Sequence, residues 1–204
     1  LDISATADNR PPDLEIIDKI SSECFMTVCY GGGVREIDDV KRIFKLGIEK
    51  VSIGCRAIEN PEFVKELVMY FGGQSVVVCL DVKKNIFGNY KIVTRNASRS
   101  TGEDPLLIAQ EMARLGVGEL IINSVDRDGM MTGYDIDLMQ KITKSVDVPV
   151  IACGGAGSLE HISEVINVGG ASSAAAGSLF VYCGKRRGVL VNYPTRVQMD
   201  LLFK

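Results

Sequence analysis

The sequence predicts one α/β domain folded as a (β/α)8 TIM barrel built from two similar halves. Three observations predict it. Short apolar runs alternate with amphipathic helical patterns along nearly the whole chain, the pattern of a parallel sheet with helical crossovers. A block of strand, glycine turn, helix and strand occurs twice: Gly31, Gly32, Gly47 and Gly54 recur as Gly154, Gly155, Gly170 and Gly177, each 123 residues further on. A period that long is half a domain, not a solenoid unit. Finally, seven strands or strand ends can be counted, and a two-fold repeat requires an even number. One further β/α unit before Leu1 makes eight. The 204 residues are therefore read as a single barrel domain whose first strand and helix are missing from this chain.

The elements follow in order. Leu1–Ile3 reads as the end of a strand, and a polar loop spans Ser4–Pro12. A helix over Asp13–Glu23 puts Leu14, Ile16, Ile17 and Ile20 on one face. Phe25–Tyr30 is a short apolar run bounded by glycine, as a buried parallel strand should be. The helix over Ile37–Leu46 has Val40, Ile43, Phe44 and Leu46 as its apolar side, and Lys50–Ile53 is a strand. Asn60-Pro61 opens a helix to Phe71, with proline at its first position. Ser75–Asp81 is the most β-like run. Phe87–Thr94 reads as a hairpin built on Gly88-Asn89, an excursion from the alternation. A helix starts around Thr101–Pro105 and ends at Leu115, and Glu119–Asn123 is a strand followed by the polar turn Asp126–Gly129. The helix Asp135–Ser145, strand Val148–Cys153, helix Leu159–Val168 and strand Ser173–Ala176 complete the repeat. Gly184–Lys204 has an apolar segment, Val189–Val191, then Tyr193-Pro194 and a short amphipathic helix.

Composition narrows the function. The chain has 23 basic and 26 acidic residues, a net charge of −3, which gives no basis for nucleic-acid or membrane binding. No signal peptide or spanning segment is visible. The six cysteines form no CxxC pair or Cys/His cluster, so neither a metal site nor a cofactor is expected. Free thiols in apolar runs fit a reducing cytoplasm.

In a barrel of this kind chemistry sits at the C-terminal ends of the strands. Each glycine turn runs straight into a helix, so its backbone N–H groups can approach an anion. Two copies, each followed by a small-residue strand end (Gly54-Cys55 and Gly177-Ser178), favour two symmetric phosphate sites. These involve Gly32 and Gly33 in one half, and Gly155, Ala156 and Gly157 in the other. Asp81 ends the most apolar strand, where partial burial raises a carboxyl toward a useful acid/base value; the alternative is a cap or a pair with Lys83. After the Glu119–Asn123 strand, Asn123, Asp126 and Asp128 can position substrate hydroxyls, or Asp126 can simply bond its own turn. Arg99–Gly102, with Thr101, can cover a ligand. His161 is the sole histidine, which excludes Ser/His and Cys/His triads. It reads as a surface or supporting residue. Lys50 and Glu119 precede their strands and lie at the opposite end, where a surface ion pair is the simple reading.

These residues resemble the cyclase subunit family of imidazole glycerol phosphate synthase. The likeness rests on Leu1-Asp2-Ile3, Tyr30–Val34, Lys50–Ile53, Leu80-Asp81-Val82-Lys83, Ser124–Gly129, Gly133-Tyr134-Asp135 and Ile151–Gly157, in order over nearly the whole chain. The resemblance implies a barrel that takes ammonia from a glutaminase partner, a class I amidotransferase subunit, at its bottom and delivers it to a bis-phosphorylated ribulosyl substrate at its top. It implies Asp81 as general acid/base and Asp128 as the substrate-positioning aspartate. Gly32, Gly33, Gly155, Gly177 and Ser178 would be phosphate contacts, and Lys50 and Glu119 members of a charged ring gating ammonia. The family's first-strand aspartate would be absent. Gly54 stands where the family usually has asparagine, and cysteine replaces its threonine or serine at two strand positions. The segment from Ala176 to Pro194, through Gly184-Lys185, is similar to a paralogous branch found with surface-polysaccharide genes and thought to amidate a sugar. A lone aminoaldose isomerase barrel and a non-catalytic glutaminase-activating barrel are the alternatives.

Overall fold

The computed structural model describes residues 1–184 and 187–202. In chain order the elements are α1 (Ile3–Ala7), α2 (Leu14–Glu23), β1 (Cys29–Gly31), α3 (Ile37–Lys45), β2 (Lys50–Ile53), α4 (Cys55–Glu59), α5 (Pro61–Phe71), β3 (Val76–Lys84), β4 (Tyr90–Thr94), β5 (Arg99–Ser100) and α6 (Pro105–Arg114). There follow β6 (Glu119–Ser124), α7 (Ile136–Thr143), β7 (Val150–Cys153), α8 (Leu159–Asn167), β8 (Ser173–Ala174), α9 (Ser178–Val181), β9 (Tyr182–Cys183), β10 (Gly188–Val189) and α10 (Arg196–Leu202).

The main sheet runs β1-β2-β3-β6-β7-β8, all parallel, each strand beside its predecessor on that path. Helices return the chain between them. This singly wound order is the wall of a (β/α)8 barrel. Alternate strand residues point to opposite faces. On the helix side Val51, Val78, Leu80, Leu120, Ile122 and Val150 pack against Val40, Leu67, Met112, Leu138 and Val165 in one apolar cluster. On the other face Cys79, Asp81, Ile121, Asn123, Ile151 and Cys153 alternate with them.

Local chemistry sets the helix starts. Asp13, Asp104, Asp135 and Ser158 are N-caps whose side chains accept from Ile16, Leu106, Leu138 and His161 N–H respectively. Pro61 and Pro105 occupy the first helical position.

The structure departs from several expectations. Leu1–Ile3 is not a strand: one rung, Asp2 N–H to Gly31 O at 2.7 Å, is followed at once by α1. The run from Phe25 pairs only from Cys29, which opposes Lys50, and Phe25 is fully exposed. In α2 Ile17 is buried but Ile16 and Ile20 are 53% and 48% exposed, because this helix packs chiefly on α3. The hairpin is real but its first arm is the end of β3: Val82 opposes Ile92 and Lys84 opposes Tyr90, with Gly88 in the turn. The short helices α4 and α9 were not anticipated. In the tail, β10 returns on β9 and Tyr193 stacks at 5.1 Å on Phe180. Lys185, which belongs to the polysaccharide-branch likeness, and the last two residues of the expected terminal helix lie outside the described residues.

Candidate active site

The strand register brings Asp81, Asn123 and Cys153 into one row across β3, β6 and β7, at the C-terminal ends of those strands. Asn123 Nδ2 donates to Asp81 Oδ1 at 2.8 Å. Its Oδ1 is buried without a hydrogen-bond partner, close to the Gly154 backbone. Burial pushes the Asp81 carboxyl up from its ordinary value; the Asn123 bond opposes that shift and the charge of Asp128 adds to it. The same carboxylate helps to raise Cys153, whose thiol is pushed by burial to about 11. Asp128 therefore shares the field of the Asp81–Cys153 row although it lies on an exposed loop. Cys79, two residues before Asp81, is partly buried, and desolvation pushes its thiol well above its ordinary value.

The loop carrying Asp128 is tied down on both sides. Its own N–H and that of Arg127 donate to Ser124 O, each at 3.0 Å. Asp126 Oδ2 accepts from Lys84 N–H at 2.8 Å, which ties this loop to the hairpin. Asp126 thus holds the loop rather than bonding its own turn. Thr101 sits at the end of β5, where its hydroxyl donates to Ile92 O at 3.2 Å, so its side chain is engaged in closing the hairpin.

Both glycine turns lie at this same end, after β1 and β7. Gly32 and Gly155 share a left-handed backbone, with φ of 123° and 110°. A Cβ at Gly32 would meet Asp2 O at 2.4 Å, and one at Gly155 would meet Gly133 O at 2.1 Å. Glycine is therefore required at each by close backbone packing. Among the described residues the N–H groups of Gly33, Val34, Gly155 and Ala156 donate to no acceptor. Farther along, Asp39 Oδ2 accepts from Arg35 and Glu36 N–H, and His161 Nδ1 accepts from Gly157 N–H at 3.2 Å. His161 is thus a brace for the second turn.

Gly54 and Gly177, the next matched pair, each cap a short helix, α4 and α9. Neither is demanded by crowding: a Cβ at Gly54 has only Cys79 O within 4 Å, at 3.7 Å, and one at Gly177 has nothing. Cys55 Sγ accepts from Arg95 N–H at 3.1 Å, joining α4 to the turn after β4. Ser178 opens α9. Sequence reasoning missed Arg95–Ala97, three consecutive non-glycine residues with positive φ; no composition rule marks such a turn.

At the other end of the sheet Lys50 Nζ, on β2, is hydrogen-bonded to Glu119 Oε1, on β6, across β3. Both are partly buried. They line an open depression of about 540 Å³ together with Thr27, Gly73, Gln74 and Gly118. Two ends of one sheet thus carry different chemistry: an aspartate between glycine turns at one, and an ion pair in a depression at the other.

The family model for histidine biosynthesis protein matches residues 1–186. A protein of Leptospira borgpetersenii, provisionally named imidazole glycerol phosphate synthase subunit HisF, is 42% identical over 204 residues, covering 100% of this chain and 80% of that protein. A Pseudomonas aeruginosa protein, provisionally named imidazole glycerol phosphate synthase subunit hisF2, is 42% identical over 201 residues, 98% of this chain and 80% of its own. The imidazole glycerol phosphate synthase subunit HisF of Alkaliphilus metalliredigens is 39% identical over 182 residues, 89% of this chain and 72% of that one.

Proposed function

The chain belongs to the histidine biosynthesis protein family, and from that premise we propose that it is the ammonia-accepting, cyclase-type subunit of a glutamine amidotransferase complex in the cytoplasm. The observation that carries this reading is the pairing of two matched glycine turns with one partly buried aspartate at a single end of the sheet. Each turn offers unoccupied backbone N–H groups, the geometry that receives a phosphate. Two such cradles suit a substrate with phosphates at both ends, the form of the ribulosyl precursor in histidine biosynthesis. Gly33, Val34 and the Gly54–Cys55 step hold one phosphate. Gly155, Ala156 and the Gly177–Ser178 step hold the other.

Between them Asp81 takes and returns protons as the ammonia nitrogen is built into the product. Its raised pKa brings the carboxyl closer to working pH, where a general acid/base is most effective. Asn123 orients Asp81 through its amide. Asp128, held over the same row, orients a substrate hydroxyl. Ammonia enters at the opposite end, where a glutaminase subunit docks around the depression and the Lys50–Glu119 pair gates the passage.

Gly54 and the tail likeness over Ala176–Pro194 favour a second acceptor, a surface-polysaccharide sugar that is amidated instead. Gly54 offers no side chain to its cradle and the Cys55 thiol is already engaged by Arg95, so that phosphate is held by backbone alone. Assaying the protein with its glutaminase partner against both acceptors decides between them. Ammonia-dependent turnover that disappears in Asp81→Asn, with phosphate binding retained, supports the mechanism; unchanged turnover removes Asp81 from it.

A further inference from the structure

The acid that ties the site together is not one of those in the row. Asp135 is buried at the start of α7. Its Oδ1 accepts from Leu138 N–H at 3.1 Å, as an N-cap, and from the hydroxyl of Tyr90 at 2.7 Å. Its Oδ2 is faced by Lys84 Nζ and Arg127 Nε, each at 3.8 Å. Tyr90 and Lys84 sit on the two arms of the hairpin and oppose each other in its register. Lys84 and Lys141 also place their ammonium groups 4.8 Å and 5.3 Å from the Tyr90 ring centre. Arg127 lies in the Asp126–Gly129 loop and donates through Nη1 to Gly133 O at 3.1 Å. Gly133 N–H in turn donates to Gly155 O at 2.7 Å, inside the second glycine turn.

We propose that Asp135 and Tyr90 form a positioning brace that locks the β3–β4 hairpin, the Asp128 loop and the second anion cradle into one unit. One buried carboxylate contacts the hairpin and the loop directly, and reaches the second turn through Arg127 and Gly133. A cap needs only the Leu138 bond; the remaining lone pairs are given to the hairpin and the loop. The arrangement fixes Asp128 relative to Asp81 because Asp81 lies on β3, whose continuation carries Lys84. The Tyr90 bond is charge-assisted and short, and the ion pairs from Lys84 and Arg127 to the buried carboxylate add to its hold on the loop. The idea rests on the cyclase reading for its catalytic consequence but not for its structural one.

The test uses Tyr90→Phe, which keeps the packed ring and removes only the hydroxyl, in the full chain with its glutaminase partner. Amide hydrogen exchange is expected to quicken several-fold over Val125–Gly133 and at Gly155, and to stay unchanged at the first turn, Gly31–Arg35. Ammonia-dependent kcat is expected to fall about tenfold, the scale of one hydrogen bond to a charged group, and to show no further fall when Tyr90→Phe is added to Asp128→Asn. Asp135→Asn, which keeps the cap and an acceptor for Tyr90 but removes the charge that faces Lys84 and Arg127, is expected to quicken the loop amides as well. Exchange that is unchanged, or that quickens equally in both turns, overturns the brace. A kcat loss of equal size with and without Asp128 overturns its positioning role. A parent protein with no ammonia-dependent turnover overturns the cyclase reading instead, and the exchange pattern still decides the brace.

Discussion

Partial burial raises the pKa of Asp81. Its native pKa lies above the ordinary 3.8, so the folded protein holds this proton longer than the unfolded chain does. Its contribution to stability is then fully present below the ordinary aspartate range and is lost as pH rises through the native value. Asp81→Asn escapes that loss. Its thermal midpoint should gain on the parent as pH climbs through this window and keep the gain at neutral pH; a gain largest at pH 3 would contradict the sign. The same variant should lose at least about 100-fold in ammonia-dependent kcat, the range of acid/base catalysis. The glycines divide in a similarly testable way. Gly32→Ala meets both a φ of 123° and a carbonyl at 2.4 Å, and should cost roughly 1–3 kcal/mol in urea unfolding. Gly177→Ala has open space and a negative φ. It should leave stability within about 1 kcal/mol of the parent while weakening phosphate binding, because the methyl occupies room that a ligand needs.

Elements were legible in the sequence wherever burial on the helix side set the pattern. Lys50–Ile53 appears as expected, and Glu119–Asn123 and Pro61–Phe71 to within a residue, because their apolar residues face the common core and Pro61 marks the start of its helix. Leu120, fully buried in that core, makes the prediction for this scale: Leu120→Ala should cost about 2–5 kcal/mol by denaturant titration. What could not be read depends on partners far away in the chain. The end Lys83–Lys84 is strand only because Tyr90-Lys91 lies opposite it. The two short helices follow Gly54 and Gly177 where local periodicity is too brief to register. Phe25 looked like strand on hydrophobicity alone, yet the ladder to β2 begins at Cys29. The candidate site shows the same division. Asp81 and the glycines could be named from position and repeat, whereas the Tyr90–Asp135 link spans 45 residues and no local pattern announces it.

In the whole molecule the proposed work is divided between the two ends of one parallel sheet. Lys50→Ala, at the depression, should depress glutamine-dependent turnover more than ammonia-dependent turnover, and equal losses would remove the gate from the account. The duplicated half, repeating Gly32 as Gly155 and Gly54 as Gly177, is what gives the other end two cradles instead of one. Crystals soaked in inorganic phosphate test that claim most directly. The account predicts two bound phosphates, one at the Gly33–Val34 turn and one at the Gly155–Ala156 turn, on either side of Asp81. Both turns empty at saturating phosphate, or phosphates bound elsewhere while Asp81 faces away from the space between the turns, would contradict it.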